Sequence, residues 1–137
     1  MNLKNKSGFT LLEVIIVIII VGVLASLALP RFFSTVEYSR GTEAMSALAT
    51  VRQSIERCYL MRRDYGSCTS FATLDVENPE AVPNAHFMYV IASGVATEYT
   101  ITATRASTEG GSGGTIQVYF NGTSVLRSGT GPFGAIQ

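Results

Sequence analysis

Positions 9–29 read FTLLEVIIVIIIVGVLASLAL, an almost unbroken apolar run that ends at Pro30. About twenty such residues cross a bilayer as a helix. Beyond Pro30 the pattern changes to Ala44, Leu48, Val51, Ile55, Cys58 and Tyr59, spaced three and four apart, which predicts one apolar helix face. Arg62, Arg63 and Asp64 lead into Tyr65-Gly66, a helix stop. With both halves continuous, the helix would extend about 80 Å. Glu37/Arg40, Arg40/Glu43 and Arg52/Glu56 offer surface pairs along it.

From His86 the period shortens to two. His86–Ala92, Thr97–Arg105, Thr115–Asn121 and Thr123–Arg127 predict strands, with Asn121-Gly122 as the hairpin turn between the last two. Asp75–Asn84, with Pro79 and Pro83, reads as a connection holding at most one helical turn, and Glu109–Gly114 as a flexible loop. An antiparallel meander of three or four strands cannot bury its apolar face alone. The amphipathic helix face is its natural cover, and the fold class is therefore α+β.

Charge gives the apolar run an orientation. Met1–Gly8 is polar and holds both lysines, Lys4 and Lys6, so this end stays cytoplasmic and the remainder lies outside. The 137 residues are 47% hydrophobic and 15% charged, with zero net charge, which leaves no electrostatic footprint for nucleic acid. Cys58 and Cys68 enclose a short polar segment, and in an exported chain such a pair reads as a disulfide.

An ordinary secretory signal is the competing reading, with Ala25-Ser26-Leu27-Ala28 as a weak cleavage site. The length of the run and the acid at Glu13 count against it, because a charge at the bilayer centre costs about 2.5–3.5 kcal/mol. Catalytic and metal chemistry find little support. His86 is the only histidine, a Cys58/His86 nucleophile pair competes with the cysteine pairing, and the Gly110–Gly114 run lacks a phosphate-loop lysine. Asn121-Gly122-Thr123 fits a glycosylation sequon but is better explained as a turn. Phe32, Phe33, Tyr38 and Tyr59 read as packing contacts rather than an electron-carrying ladder. No cofactor is expected, and no enzyme.

The stretch Lys6-Ser7-Gly8-Phe9-Thr10-Leu11-Leu12-Glu13-Val14-Ile15-Ile16-Val17 resembles the N-terminal signature of type IV pilins and of the related pseudopilins of type II secretion. The resemblance implies cleavage after Gly8 by a prepilin peptidase, N-methylation of Phe9, and pairing of Glu13 with the Phe9 ammonium of a neighbouring subunit. Gly22 and Pro30 match family positions between which helix is often lost in the fibre, here Val23–Leu29. Implied partners are identical or related pilin subunits in a helical homopolymer, the inner-membrane assembly platform, and membrane lipid before assembly; the charge balance, for its part, points to no specific nucleic acid. The implied division is a leader at 1–8, a membrane and filament-core helix at 9–29, an amphipathic second half at 30–64, and a head at 65–137.

The expected function is that of a structural pilus subunit serving motility, adhesion or DNA uptake. The head is expected in the periplasm before assembly and outside the cell in the fibre. A pseudopilin of a secretion or competence system is the near alternative, although acids near the C-terminus are too sparse for the calcium loop common in major pseudopilins. A membrane-tethered periplasmic binding domain is the more distant one.

Overall fold

The structure, a computed structural model, describes residues 8–106 and 113–136. Positions 1–7 of the leader, and 109–112 of the expected glycine-rich loop, lie outside the described residues. The first element is α1, Leu11–Arg62. It is continuous through Gly22 and Pro30, although proline lacks the N–H that would bond back one turn. Hydroxyls bond main-chain carbonyls on either side of the proline: Ser26 donates to Val23 at 2.7 Å, and Ser34 and Thr35 both donate to Arg31 at 2.9 Å.

Residues up to 35 form one compact unit and residues from 36 onward another. Every described residue in the first unit is exposed. Its apolar stretch is long and apolar enough to cross a membrane.

In the second unit α1 buries Gly41, Ala44, Leu48, Val51, Ser54, Ile55 and Cys58. Five of these belong to the expected face; Tyr59, the sixth, is half-buried and stacks on Tyr65 at 4.2 Å between ring centroids. α1 ends at Arg62 because Arg63 turns left-handed (φ 58°), its N–H still donating to the Tyr59 carbonyl at 2.7 Å. Short 3-10 turns follow at Tyr65–Cys68, Phe71–Thr73 and Pro79–Ala81. Asp64, Ser70 and Asn78 cap them with side-chain oxygens.

The sheet is a four-stranded antiparallel meander in sequence order: β1 Phe87–Val95, β2 Glu98–Arg105, β3 Thr115–Phe120 and β4 Val125–Gly129. β1 outruns its expected end at Ala92 because a register shift lies between Ala92 and Val95, where the Ser93 hydroxyl bonds the Val95 and Glu98 carbonyls at 2.6 and 2.7 Å. Ile91, Ile101 and Val118 stand side by side in register on the inward face. That face packs with the helix residues into one core.

The C-terminal segment closes the core. Phe133, on a 3-10 turn at Gly131–Phe133, is fully buried 5.5 Å from the Phe87 ring. Glycines make its socket. A Cβ at Gly41 would stand 2.9 Å from the Phe133 ring, one at Gly114 would stand 3.0 Å from it, and one at Gly129 would collide with the Phe133 backbone.

Candidate functional site

The start of α1 carries the chemistry that the sequence singled out. Thr10 is its N-cap: the Thr10 Oγ1 accepts from the Glu13 backbone N–H at 3.3 Å, and the Thr10 carbonyl accepts from Glu13 and Val14 N–H at 3.1 and 3.3 Å. Thr10-Leu11-Leu12-Glu13 is thus a Thr-x-x-Glu capping sequence that settles one of the donors every helix leaves open at its N-terminus. The Glu13 carboxylate sits in the first turn, where the helix dipole favours a negative charge. Phe9 immediately precedes the cap and is 81% exposed. Gly8 and Gly22 have open space where a Cβ would stand, so packing within one subunit does not demand either glycine.

Gly8, Phe9 and Glu13 therefore lie together at the head of one helix. Thr10 was absent from the expected site residues, yet its signal, a threonine three residues before a glutamate, is plain in the chain.

In the second unit, side chains of α1 clamp the head at three polar points. Glu37 accepts from Arg105 (Nε at 3.1 Å, Nη2 at 3.3 Å) and from Arg40 Nη1 at 2.8 Å. The Arg105 guanidinium is fully buried, bonds the His86 carbonyl at 3.0 Å, and lies 5.8 Å from the Phe87 ring centroid. The Arg105 hydrogen bond holds the Glu37 carboxyl below the usual carboxylate range.

Glu56 takes the Tyr65 and Tyr99 hydroxyls at 2.8 and 2.7 Å, so this residue of an expected surface pair also reaches into the head. Burial, followed by these bonds, pushes both phenols up. Asp75 accepts two bonds from Arg57, at 2.6 and 2.9 Å, and one from the Ser54 hydroxyl, and Arg57 draws its pKa down to about 2. Cys58 and Cys68 are joined in a disulfide with their Cα atoms 6.0 Å apart, pinning the first 3-10 turn to the helix.

Phe32 and Phe33 meet edge to face at 6.1 Å and both stay exposed, as does Tyr38. Among the described residues no group of three or more His, Cys, Asp or Glu side chains is placed to hold a metal ion. From position 36 onward the chain carries seven arginines and nine acids, with no lysine.

The family described as "Type IV minor pilin ComP, DNA uptake sequence receptor" matches residues 30–115, well over half of the chain. The "Prokaryotic N-terminal methylation motif" matches residues 3–29. The chain is 36% identical over 63 residues to the type IV major fimbrial protein FimA of Dichelobacter nodosus, covering 46% of this chain and 40% of that protein. It is 32% identical over 83 residues to the type II secretion system core protein G of Aeromonas hydrophila, covering 61% and 58%. A probable minor fimbrial protein of Dichelobacter nodosus is 39% identical over 56 residues, covering 41% and 35%. In each case the match spans less than two-thirds of the relative's own length. No solved structure matches.

Proposed function

We propose, for a chain that belongs to the type IV minor pilin ComP, DNA uptake sequence receptor family, a structural role as a subunit built into a pilus. One observation carries the reading: an apolar helix from Leu11 to Leu29, exposed throughout, with a carboxylate in its first turn four residues after Phe9. Such a surface requires lipid or other copies of itself, since monomeric soluble proteins rarely expose a large apolar patch.

In this reading a prepilin peptidase removes the leader after Gly8 and Phe9 receives one N-methyl group. The methylated amine keeps its charge and meets the Glu13 carboxylate of a neighbour inside the apolar bundle. Losing one partner of such a pair leaves a buried charge costing about 3–5 kcal/mol, so the pair sets register between subunits. The membrane platform supplies subunits from lipid, with the head on the periplasmic side, to a fibre outside the cell. Gly22 and Pro30 bound the segment Val23–Leu29 that loses helix in the fibre.

Glu13→Gln tests the mechanism. Electron microscopy of cells expressing it should show no filaments, with the head folded and membrane levels normal; wild-type filament numbers would overturn the pairing. Mass spectrometry of the mature chain should begin at a methylated Phe9.

A second reading, a pseudopilin of a secretion system, is favoured by the 83-residue match to core protein G. Long surface fibres in the micrographs exclude it, and short periplasmic rods support it. DNA reception, the role in the family's description, is supported here by the family match alone. Seven arginines against nine acids from position 36 onward give no net attraction to a polyphosphate. Retention of double-stranded DNA by the full chain at physiological salt decides the matter, and none is expected.

A further inference from the structure

Asn121 and Gly122 lie in the exposed turn joining β3 to β4, with Gly122 left-handed at φ 84°. The Asn121 Oδ1 accepts three hydrogen bonds, from the Thr123 N–H at 3.1 Å, the Ser124 N–H at 2.8 Å and the Ser124 hydroxyl at 3.2 Å. The backbone nitrogen of Gly122 belongs to the same short covalent unit as the Asn121 side-chain amide carbon. Attack is intramolecular and closes a five-membered ring, so no second reactant has to be brought in. Glycine puts no side chain in the way. As the bond forms, Oδ1 becomes an oxyanion, and the three donors already point at it, which is what an oxyanion hole provides.

We infer that this turn is a site of self-catalysed deamidation. The Gly122 nitrogen bonds to the Asn121 amide carbon and gives its proton to water. The oxyanion collapses back to a carbonyl, the bond to Nδ2 breaks, and Nδ2 takes a proton from water and leaves as ammonia. Water then opens the cyclic imide at one of its two carbonyls, leaving aspartate or isoaspartate at position 121 with no change of oxidation state.

Both products alter the end of the sheet. Phe120, which leads into the turn, pairs with Tyr99, and the adjacent Glu98 carboxylate accepts the Tyr119 hydroxyl at 2.8 Å. A new carboxylate in the turn puts a second negative charge at the end of the sheet that already carries Glu98, and like charges there are destabilising. Isoaspartate also adds a carbon to the main chain and shifts the register feeding β4, a strand paired on one side only. Ageing at this turn would thus add charge and loosen the sheet edge, whether or not the chain assembles into a fibre.

The molecule contains its own controls. Asn78 accepts the Glu80 N–H in a similar local turn, but Pro79 follows it and has no N–H with which to attack. Asn84 is followed by Ala85. The full-length chain, incubated in detergent micelles at mildly alkaline pH and mapped by peptide mass spectrometry, should convert at Asn121 well ahead of Asn84, with Asn78 inert. Ser124→Ala, an exposed change that removes one of the three donors, should slow conversion about three- to tenfold, the range of one neutral hydrogen bond. Equal rates at Asn121 and Asn84, or an unchanged rate in Ser124→Ala, would overturn the inference.

Discussion

Residues 8–35 bury nothing, whereas from Gly41 to Cys58 the same helix buries a residue at every third or fourth step. One continuous secondary structure thus serves two solvents. The second half satisfies its apolar face within the chain, against the sheet. The first half leaves an entire apolar cylinder unsatisfied, so its stability belongs to lipid or to other subunits. Substitutions should separate accordingly: those in the head change the folding of one molecule, and those before position 36 change assembly.

The largest effect on folding is expected at Phe133. Phe133→Ala empties the glycine socket and should cost about 3–5 kcal/mol by chemical denaturation. Val17→Ala, in the exposed apolar stretch, should leave the same transition unmoved. Equal losses would dissolve the distinction between the halves. Next comes the disulfide. Replacing Cys58 and Cys68 together by serine should cost about 2–3 kcal/mol on the chain-entropy account for a short loop, and a non-reducing digest of the wild type should link the two cysteines.

These two elements differ in how far they could be read from the chain. The disulfide was legible because two cysteines in an exported chain leave one pairing. Helix periodicity similarly marked Ala44, Leu48, Val51, Ile55 and Cys58, and alternation marked all four strands to within a few residues at their ends. The Phe133 socket was not legible. Gly41, Gly114 and Gly129 lie in α1, just before β3 and in β4, and a pattern of local period carries no information about which distant backbone must approach which ring. For the same reason Arg105 alternates into the core as a buried cation, and Glu56 serves Tyr65 and Tyr99. Thr10 is the opposite case, a local capping sequence readable without any tertiary knowledge.

Acid sharpens the comparison at a smaller scale. Asp75 titrates at about 2 in the folded head, below the ordinary aspartate value of about 3.9 when unfolded. A depressed pKa adds stability that is fully present above the unfolded value and is lost as pH falls through the folded one. Glu37, lowered by Arg105, acts in the same direction. Head stability measured from pH 5 down to pH 2 should therefore fall, and Arg57→Gln should flatten that fall by releasing Asp75. An unchanged slope would mean that the Arg57–Asp75 pair contributes nothing in water, the ordinary fate of exposed ion pairs.

The smallest effect expected is a gain. Arg63 occupies the left-handed position just past the end of α1, where helices commonly place glycine. An L-residue with a side chain loses about 1–2 kcal/mol there. Glycine would recover that cost but give back about 0.5–1 kcal/mol through its freer unfolded chain. Arg63→Gly should thus stabilise the head by about 0.5–1 kcal/mol in denaturant titration, with assembly unaffected. A loss instead would show that the arginine side chain makes up for its backbone, and would locate a contribution to head stability at the exposed end of the helix rather than in the core beneath it.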